Sequence, residues 1–175
     1  MIEAIRFLRP VIILSLFIAS HAFAASSKWG DKNTLKGIKS VCVHSKEVEG
    51  DTAQASLYGV TSSSLRARVE RKLKEVGIGV APHKMCMRMP NSPYLQVTVT
   101  VVMWPKLETN FLYLVDLDYL QITILDRDNS TKASVPTWSR GIVAKTPKKS
   151  LRVDVMNAVD MQVKEFSKDY FAVNQ

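Results

Sequence analysis

The sequence predicts an α+β fold, in which two helices pack on one face of a mostly antiparallel sheet. Two segments near opposite ends of the chain repeat apolar residues at helical spacing, and the chain between them alternates apolar and polar residues as strands do. The predicted order of elements is β-α-β-β-β-β-α. Each helix has a single apolar stripe and needs a covering surface, which only the sheet is large enough to provide.

The first predicted strand is the segment 37–44, GIKSVCVH. Successive side chains of a strand point to opposite faces, so Cys42 and His44 are expected to share one face. The residues before it, 25–34, are small and polar, which predicts a loose amino-terminal segment. The polar segment 47–60 contains two glycines and is expected to be a loop.

The first predicted helix follows Thr61 or Ser62, whose hydroxyls can accept hydrogen bonds from the unpaired amides of the first helical turn. Gly77 stands where a left-handed residue commonly ends a helix. A short strand, 78–81, is expected to stop at Pro82. The apolar stripe of this helix is predicted to contain Leu65, Val69, Leu73 and Val76.

Three longer strands are predicted after it. The first, 94–103, alternates cleanly between apolar and polar residues, which indicates a sheet with one covered face. The second, 111–125, is apolar on both parities and changes its apolar face after Tyr119, which predicts a β-bulge. The polar turn 126–130 leads to the third strand, 135–144.

The second predicted helix begins at Ser150, whose hydroxyl is expected to cap it. Its apolar stripe consists of Leu151, Val155, Val159, Val163, Phe166 and Tyr170. The predicted domain spans 25–175, which is long enough for one hydrophobic core. No segment after residue 25 is long and apolar enough to be a transmembrane helix.

Residues 1–24 have the three parts of a secretory signal peptide. Arg6 and Arg9 supply the positive charge that precedes the apolar run 11–19. Residues 22–24, Ala-Phe-Ala, have the small-x-small pattern of a cleavage site. The chain is therefore expected to be exported and to work in the periplasm or outside the cell. The alternative is an uncleaved amino-terminal anchor, although the run is shorter than the roughly 20 residues that span a bilayer.

The chain is basic. It has 24 Lys and Arg against 16 Asp and Glu, a net charge of +8, and removal of 1–24 takes away two arginines and one glutamate to leave +7. The cationic residues gather in four stretches, 28–46, 66–74, 84–88 and 145–152. A positive surface favours anionic partners such as lipid headgroups, wall polymers or nucleic acid. No nucleic-acid-binding motif is present, which favours an envelope component, and a basic surface that only aids solubility is the alternative.

No catalytic motif is found, because the sequence lacks Gly-x-Ser-x-Gly, a P-loop and His-Glu-x-x-His. Asp116 and Asp118 share one parity of a predicted strand, so they could do acid–base chemistry or bind a cation. They could equally line the solvent-exposed face of an antiparallel sheet, which is favoured because polar residues alternate on such faces. The sequence therefore predicts a protein that is not an enzyme and has no cofactor.

The two cysteines lie near histidines and methionines. Soft sulfur ligands select Cu(I), and an extended segment at 83–93 would present its histidine and three methionines on one side. A periplasmic copper-binding protein is therefore the alternative function, with the ligands Cys42, His44, His83, Met85, Cys86, Met87 and Met89. An oxidising compartment favours a disulfide between Cys42 and Cys86 instead. The weaker ligand set that would remain is His44, His83, Met85, Met87 and Met89.

Three stretches, in this order, carry a family likeness over most of the mature chain: Gly59-Val60-Thr61 with Leu65, Val69-Glu70, Leu73 and Gly77-Ile78; Thr137-Trp138-Ser139; and Asp160, Phe166, Asp169-Tyr170 and Asn174. The chain resembles a family of uncharacterised secreted bacterial proteins. Its layout is also similar to small envelope accessory domains, such as the amino-terminal domain of TolB. The resemblance implies no known activity and therefore no catalytic residues. The sequence thus predicts an exported domain that binds a protein or an anionic envelope component.

Overall fold

The structure, a computed structural model, describes residues 25–88, 92–103, 109–125 and 128–174. The predicted signal peptide at 1–24 lies outside these residues. Within them the strands are β1 (Ala25–Gly30), β2 (Ser40–Ser45), β3 (Glu49–Gly50), β4 (Gly79–Val80), β5 (Tyr94–Met103), β6 (Asn110–Leu125) and β7 (Asp128–Pro147). The α-helices are α1 (Thr52–Leu57), α2 (Ser62–Glu75), α3 (His83–Arg88) and α4 (Leu151–Phe171).

A single sheet runs in the order β1-β7-β6-β5-β2-β4, and β3 also pairs with β5. The four strands β1, β7, β6 and β5 pair in antiparallel fashion. In contrast, β2 is parallel to β4 and β5, and β3 is parallel to β5. Parallel pairing needs a crossover connection, which the helical segment between β2 and β4 provides. The fold is therefore α+β with a mostly antiparallel sheet, as predicted.

The structure contains more strands and helices than the predicted order β-α-β-β-β-β-α. Residues 25–30 form the edge strand β1, not a loose segment, and all six of these side chains are exposed. An edge strand without a buried side leaves no apolar alternation to detect. The predicted loop 47–60 contains β3 and α1, which are too short to show a period.

Helix α2 begins and ends as predicted. Thr61 and Ser64 form a reciprocal capping box, in which each side chain bonds the other residue's backbone amide, at 3.2 and 3.0 Å. Gly77 follows the helix with φ at +86°. The stripe is correct for three residues but wrong for Val76, which lies at the C-cap and is 44% exposed. The buried residues are Leu65, Val69 and Leu73.

Helix α4 buries all six residues of its predicted stripe. The predicted cap is wrong, because the Ser150 side chain makes no capping hydrogen bond. A short 3-10 turn, Lys148–Ser150, leads into the helix and gives Ser150 a helical backbone. A capping side chain instead needs an extended backbone at that position. No helix among the described residues is long and apolar enough to cross a membrane.

The hydrophobic core lies on one face of the central strands. Alternate residues of β5 are fully buried, and Trp138 of β7 meets Phe166 of α4 edge-on at 5.2 Å. Helix α4 contacts β6 and β7, while α2 contacts β2, β5 and α4. The register of β6 against β7 shifts between Tyr119 and Leu120, where Thr137 is the extra residue, so a bulge lies where the change of apolar face predicts it. The tip of the predicted turn, 126–127, lies outside the described residues.

Candidate functional site

The two cysteines are joined. Cys42 of β2 and Cys86 of α3 form a disulfide with Cα atoms 5.6 Å apart, within the range that such a bond requires. This pairing agrees with the prediction. Because the chain has no other cysteine, neither thiolate is free to hold a metal ion.

The other predicted copper ligands that the structure describes have separate surroundings. Segment 83–88 is helical, so it lacks the extended backbone that would present these ligands on one side, and residues two apart on a helix point in nearly opposite directions. Met85 is exposed, and His83 Nε2 instead lies 2.9 Å from the Arg66 guanidinium. His44 is exposed on β2, edge-on to a tyrosine ring. The Met87 side chain and the whole of Met89 lie outside the described part.

Potential metal ligands are also scattered in the described part of the chain. No three of its histidine, cysteine, aspartate and glutamate residues form a group that could hold a metal ion. The one buried polar atom of segment 83–88 without a partner among the described residues is His83 Nδ1. With the other nitrogen of this ring accepting from an arginine, Nδ1 carries the proton and is not a metal ligand in that state.

Asp116 and Asp118 lie half-buried on β6, on the face opposite the core. Burial raises the pKa of Asp116, and the charges of Asp118 and Glu49 raise it further. Burial also raises the pKa of Asp118, although a hydrogen bond from Ser139 opposes this shift. Gly141 leaves the space that the Asp116 carboxylate occupies, since a Cβ there would lie 2.3 Å from its Oδ1. The pair is thus part of the polar sheet face.

Asp116→Asn is expected to raise the free energy of unfolding at neutral pH and to leave it unchanged in strong acid. Because burial raises the pKa of Asp116 above its ordinary 3.8, the folded state holds this proton more tightly than the unfolded chain. The associated stability is present below pH 3.8 and is lost as the pH rises through the raised pKa. Urea denaturation across this pH window measures the difference.

The control is Glu47→Gln, which removes an exposed carboxylate. Its stability profile should run parallel to that of the wild-type protein. An Asp116→Asn profile that is also parallel to wild type would contradict the described burial of Asp116.

A cleft of about 580 Å³ lies between α2 and α4. Its walls are Ser64, Ala67, Arg68, Arg71, Arg152, Val153, Met156 and Asn157. Arg68 of α2 spans the gap to Asp160 of α4 with two hydrogen bonds, from Nε at 2.7 Å and from a terminal nitrogen at 2.5 Å. This bidentate bond holds the two helices side by side and raises the pKa of Arg68.

The three arginines of the cleft differ in their partners. Arg68 is neutralised by Asp160, and Arg71 lies 3.6 Å from Glu75 one turn along the helix, where both side chains are largely in water. Arg152 is exposed and makes no ion pair with any described residue. Its guanidinium lies beside Gly59, where an added Cβ would come within 2.9 Å of it. Arg152 is therefore available to an anion from outside.

The basic residues of this cleft were identifiable in the sequence, but the cleft itself was not. Arg68 and Arg71 belong to the basic stretch 66–74, and Arg152 ends the basic stretch 145–152. Only the packing of α2 against α4 brings the two stretches together. The one sequence feature that pointed to the cleft is that each basic stretch coincides with a predicted helix or its start.

The chain was also compared with known proteins. No protein-family model and no curated protein matches it. Among solved structures it is similar to a point variant of the PelC dodecamer from Paraburkholderia phytofirmans, with 14% sequence identity and a TM-score of 0.45. The likeness covers 83% of this chain and 98% of that chain. It is too distant to carry an argument about function.

Proposed function

We propose that the protein is an exported, non-enzymatic domain that binds an anionic component of the cell envelope in the cleft between α2 and α4. The observation that carries the proposal is Arg152, an exposed arginine with no counter-charge among the described residues, placed in a cleft with two further arginines. Guanidinium groups match the planar geometry of carboxylate and phosphate oxygens and bind them with two hydrogen bonds. An external anion would supply the counter-charge that Arg152 lacks among the described residues.

The dimensions of the cleft suit such a ligand. A volume of about 580 Å³ is that of a small-molecule pocket, large enough for a lipid headgroup or a sugar unit of a polymer. Ala67, Val153 and Met156 give it apolar walls, while the arginines provide the charge. Such a combination favours an anion that is attached to a larger molecule over a free inorganic ion.

The proposal also includes the export of the protein and its relation to secreted bacterial proteins. The bond between Cys42 and Cys86 supports a periplasmic or extracellular location, because disulfides persist in oxidising compartments. We further infer that α2 and α4 cover one face of the sheet, which leaves the cleft on the outer side of the helices. This layout suits the proposed kinship with secreted bacterial proteins and envelope accessory domains of the TolB amino-terminal type.

The double variant Arg71→Gln/Arg152→Gln is expected to bind anionic probes roughly thirtyfold more weakly, because each cation near an anionic surface contributes about 1 kcal/mol. The probes are phosphatidylglycerol vesicles and dextran sulfate, and the neutral references are phosphatidylcholine vesicles and dextran. Binding of the mature protein is measured by sedimentation for vesicles and by titration calorimetry for the polymers. Added salt should weaken binding of the wild-type protein.

A matched control separates the cleft from the overall charge. Lys28→Gln/Lys132→Gln removes two exposed cations from the strands β1 and β7 and lowers the net charge equally. This variant should bind as the wild-type protein does. If both double variants lose affinity equally, or if neither anionic probe binds, the cleft is not the binding site.

A further inference from the structure

Exposed apolar side chains lie close in sequence to Arg152 and to Gly59, which lies beside it. Val153 follows Arg152 on α4 and is 60% exposed, and Leu57 at the end of α1 is 78% exposed. Gly59, two residues after Leu57, lies against the Arg152 guanidinium. The residues that follow α1 are therefore neighbours of the start of α4, and each of the two helices presents an apolar side chain to water.

A second cation lies close to Arg152 in sequence. Lys149 is exposed three residues before Arg152, just ahead of α4, and makes no ion pair with any described residue. The acidic residue nearest in sequence, Asp154, accepts a hydrogen bond from the Thr146 hydroxyl. Isolated exposed apolar residues are ordinary on protein surfaces. Leu57 and Val153 differ from that case because they accompany cations that form no ion pair within the described part of the chain.

This combination distinguishes among the anionic components of an envelope. An acidic polysaccharide or a free phosphate would pair with the arginines but would leave Leu57 and Val153 in water. A bilayer offers both partners, since phosphate groups lie directly above an apolar layer. Amphipathic protein surfaces bind there by placing cations at the headgroups and apolar side chains at the boundary with the acyl chains.

We propose that the component bound by the cleft is an anionic phospholipid in a bilayer surface. Arg71 and Arg152 pair with headgroup phosphates, while Leu57 and Val153 enter the boundary between headgroups and acyl chains. The apolar cleft residue Met156 then lies toward the lipid rather than toward water. This inference rests on the proposed function, because it names the anion that the same arginines would bind.

The test is the double variant Leu57→Ser/Val153→Ser. Its affinity for phosphatidylglycerol vesicles should fall at least tenfold, whereas its affinity for dextran sulfate should stay within twofold of the wild-type value. The matched control, Val102→Ser/Ile124→Ser, changes two apolar residues of the sheet that are 46% and 54% exposed. It should leave vesicle binding unchanged.

A second measurement does not require the serine variants to fold. Tryptophan fluorescence of Val153→Trp should be quenched by vesicles whose phosphatidylglycerol carries brominated acyl chains, whereas that of Ile124→Trp should gain no additional quenching. Unchanged vesicle affinity of the serine variant, absent quenching at position 153, or dextran sulfate binding without vesicle binding would each overturn the lipid assignment. If dextran sulfate still binds through the arginines, the proposed function stands. Binding of neither probe would remove both.

Discussion

Asp169→Ala is expected to lower the free energy of unfolding by about 3–5 kcal/mol, the usual consequence of removing one partner of a buried ion pair. Asp169 Oδ2 accepts hydrogen bonds from the Trp138 indole at 2.9 Å and from the Arg140 guanidinium at 2.5 Å. Arg140 is only 5% exposed, so the variant would leave its charge buried without a counter-ion. Equilibrium denaturation in urea of both proteins measures the loss.

Asp160→Ala is the matched control, because it also removes an aspartate of α4 that pairs with an arginine. Asp160 and its partner Arg68 each keep about a quarter of their side-chain exposure, so water can compensate and the expected loss is about 1 kcal/mol or less. An Asp169→Ala loss no larger than that of Asp160→Ala would contradict the buried cluster. Arg140→Met/Asp169→Leu should recover much of the stability, since no unpaired charge remains.

The same cluster shows where sequence patterns stop being informative. Arg140 lies on the parity of β7 that also carries Trp138, so it points into the core, where an arginine is not expected from its polarity. Its burial depends on Asp169, which α4 brings to it across the core. It also donates to the Trp29 carbonyl at 3.2 Å and so ties β1 to the sheet. None of these partners is adjacent to Arg140 in sequence.

Features that depend on local spacing were predictable. The stripes through Leu73 and Phe166 follow the helical period, and the alternation through Val97 follows that of a strand. The capping box at Thr61 needs only residues within one turn. Each of these signals is complete within a dozen neighbouring residues, which explains why the α+β class and both long helices could be predicted.

Features that depend on contacts between residues far apart in sequence could not be predicted. Edge strand β1 forms because β7 offers it a hydrogen-bonding partner, and its own residues show no buried side. Helix α3 follows Pro82, whose carbonyl accepts the amides of Met85 and Cys86, whereas the sequence marked Pro82 only as the end of a strand. Arg152 acquires its place in a cleft only through the packing of α2 on α4.

Cys42→Ala/Cys86→Ala is expected to lower the free energy of unfolding by about 4 kcal/mol, because the disulfide closes a loop of 44 residues and restricts the unfolded chain. The loop contains α1, α2 and β4, so the bond links β2 to α3 around a complete crossover unit. Urea denaturation of the oxidised protein and the double variant measures the difference. Thiol titration of the denatured, unreduced protein should detect no free thiol.

Each single variant should lose nearly as much stability as the double variant, because either change removes the whole bond and the effects are not additive. A double variant as stable as the oxidised protein would contradict the expected restriction of the unfolded chain. The same titration tests whether the two cysteines can serve as copper ligands. Two free thiols in the unreduced protein would return Cys42 and Cys86 to the copper ligand set. Their absence leaves Cu(I) without the thiolates that would select it.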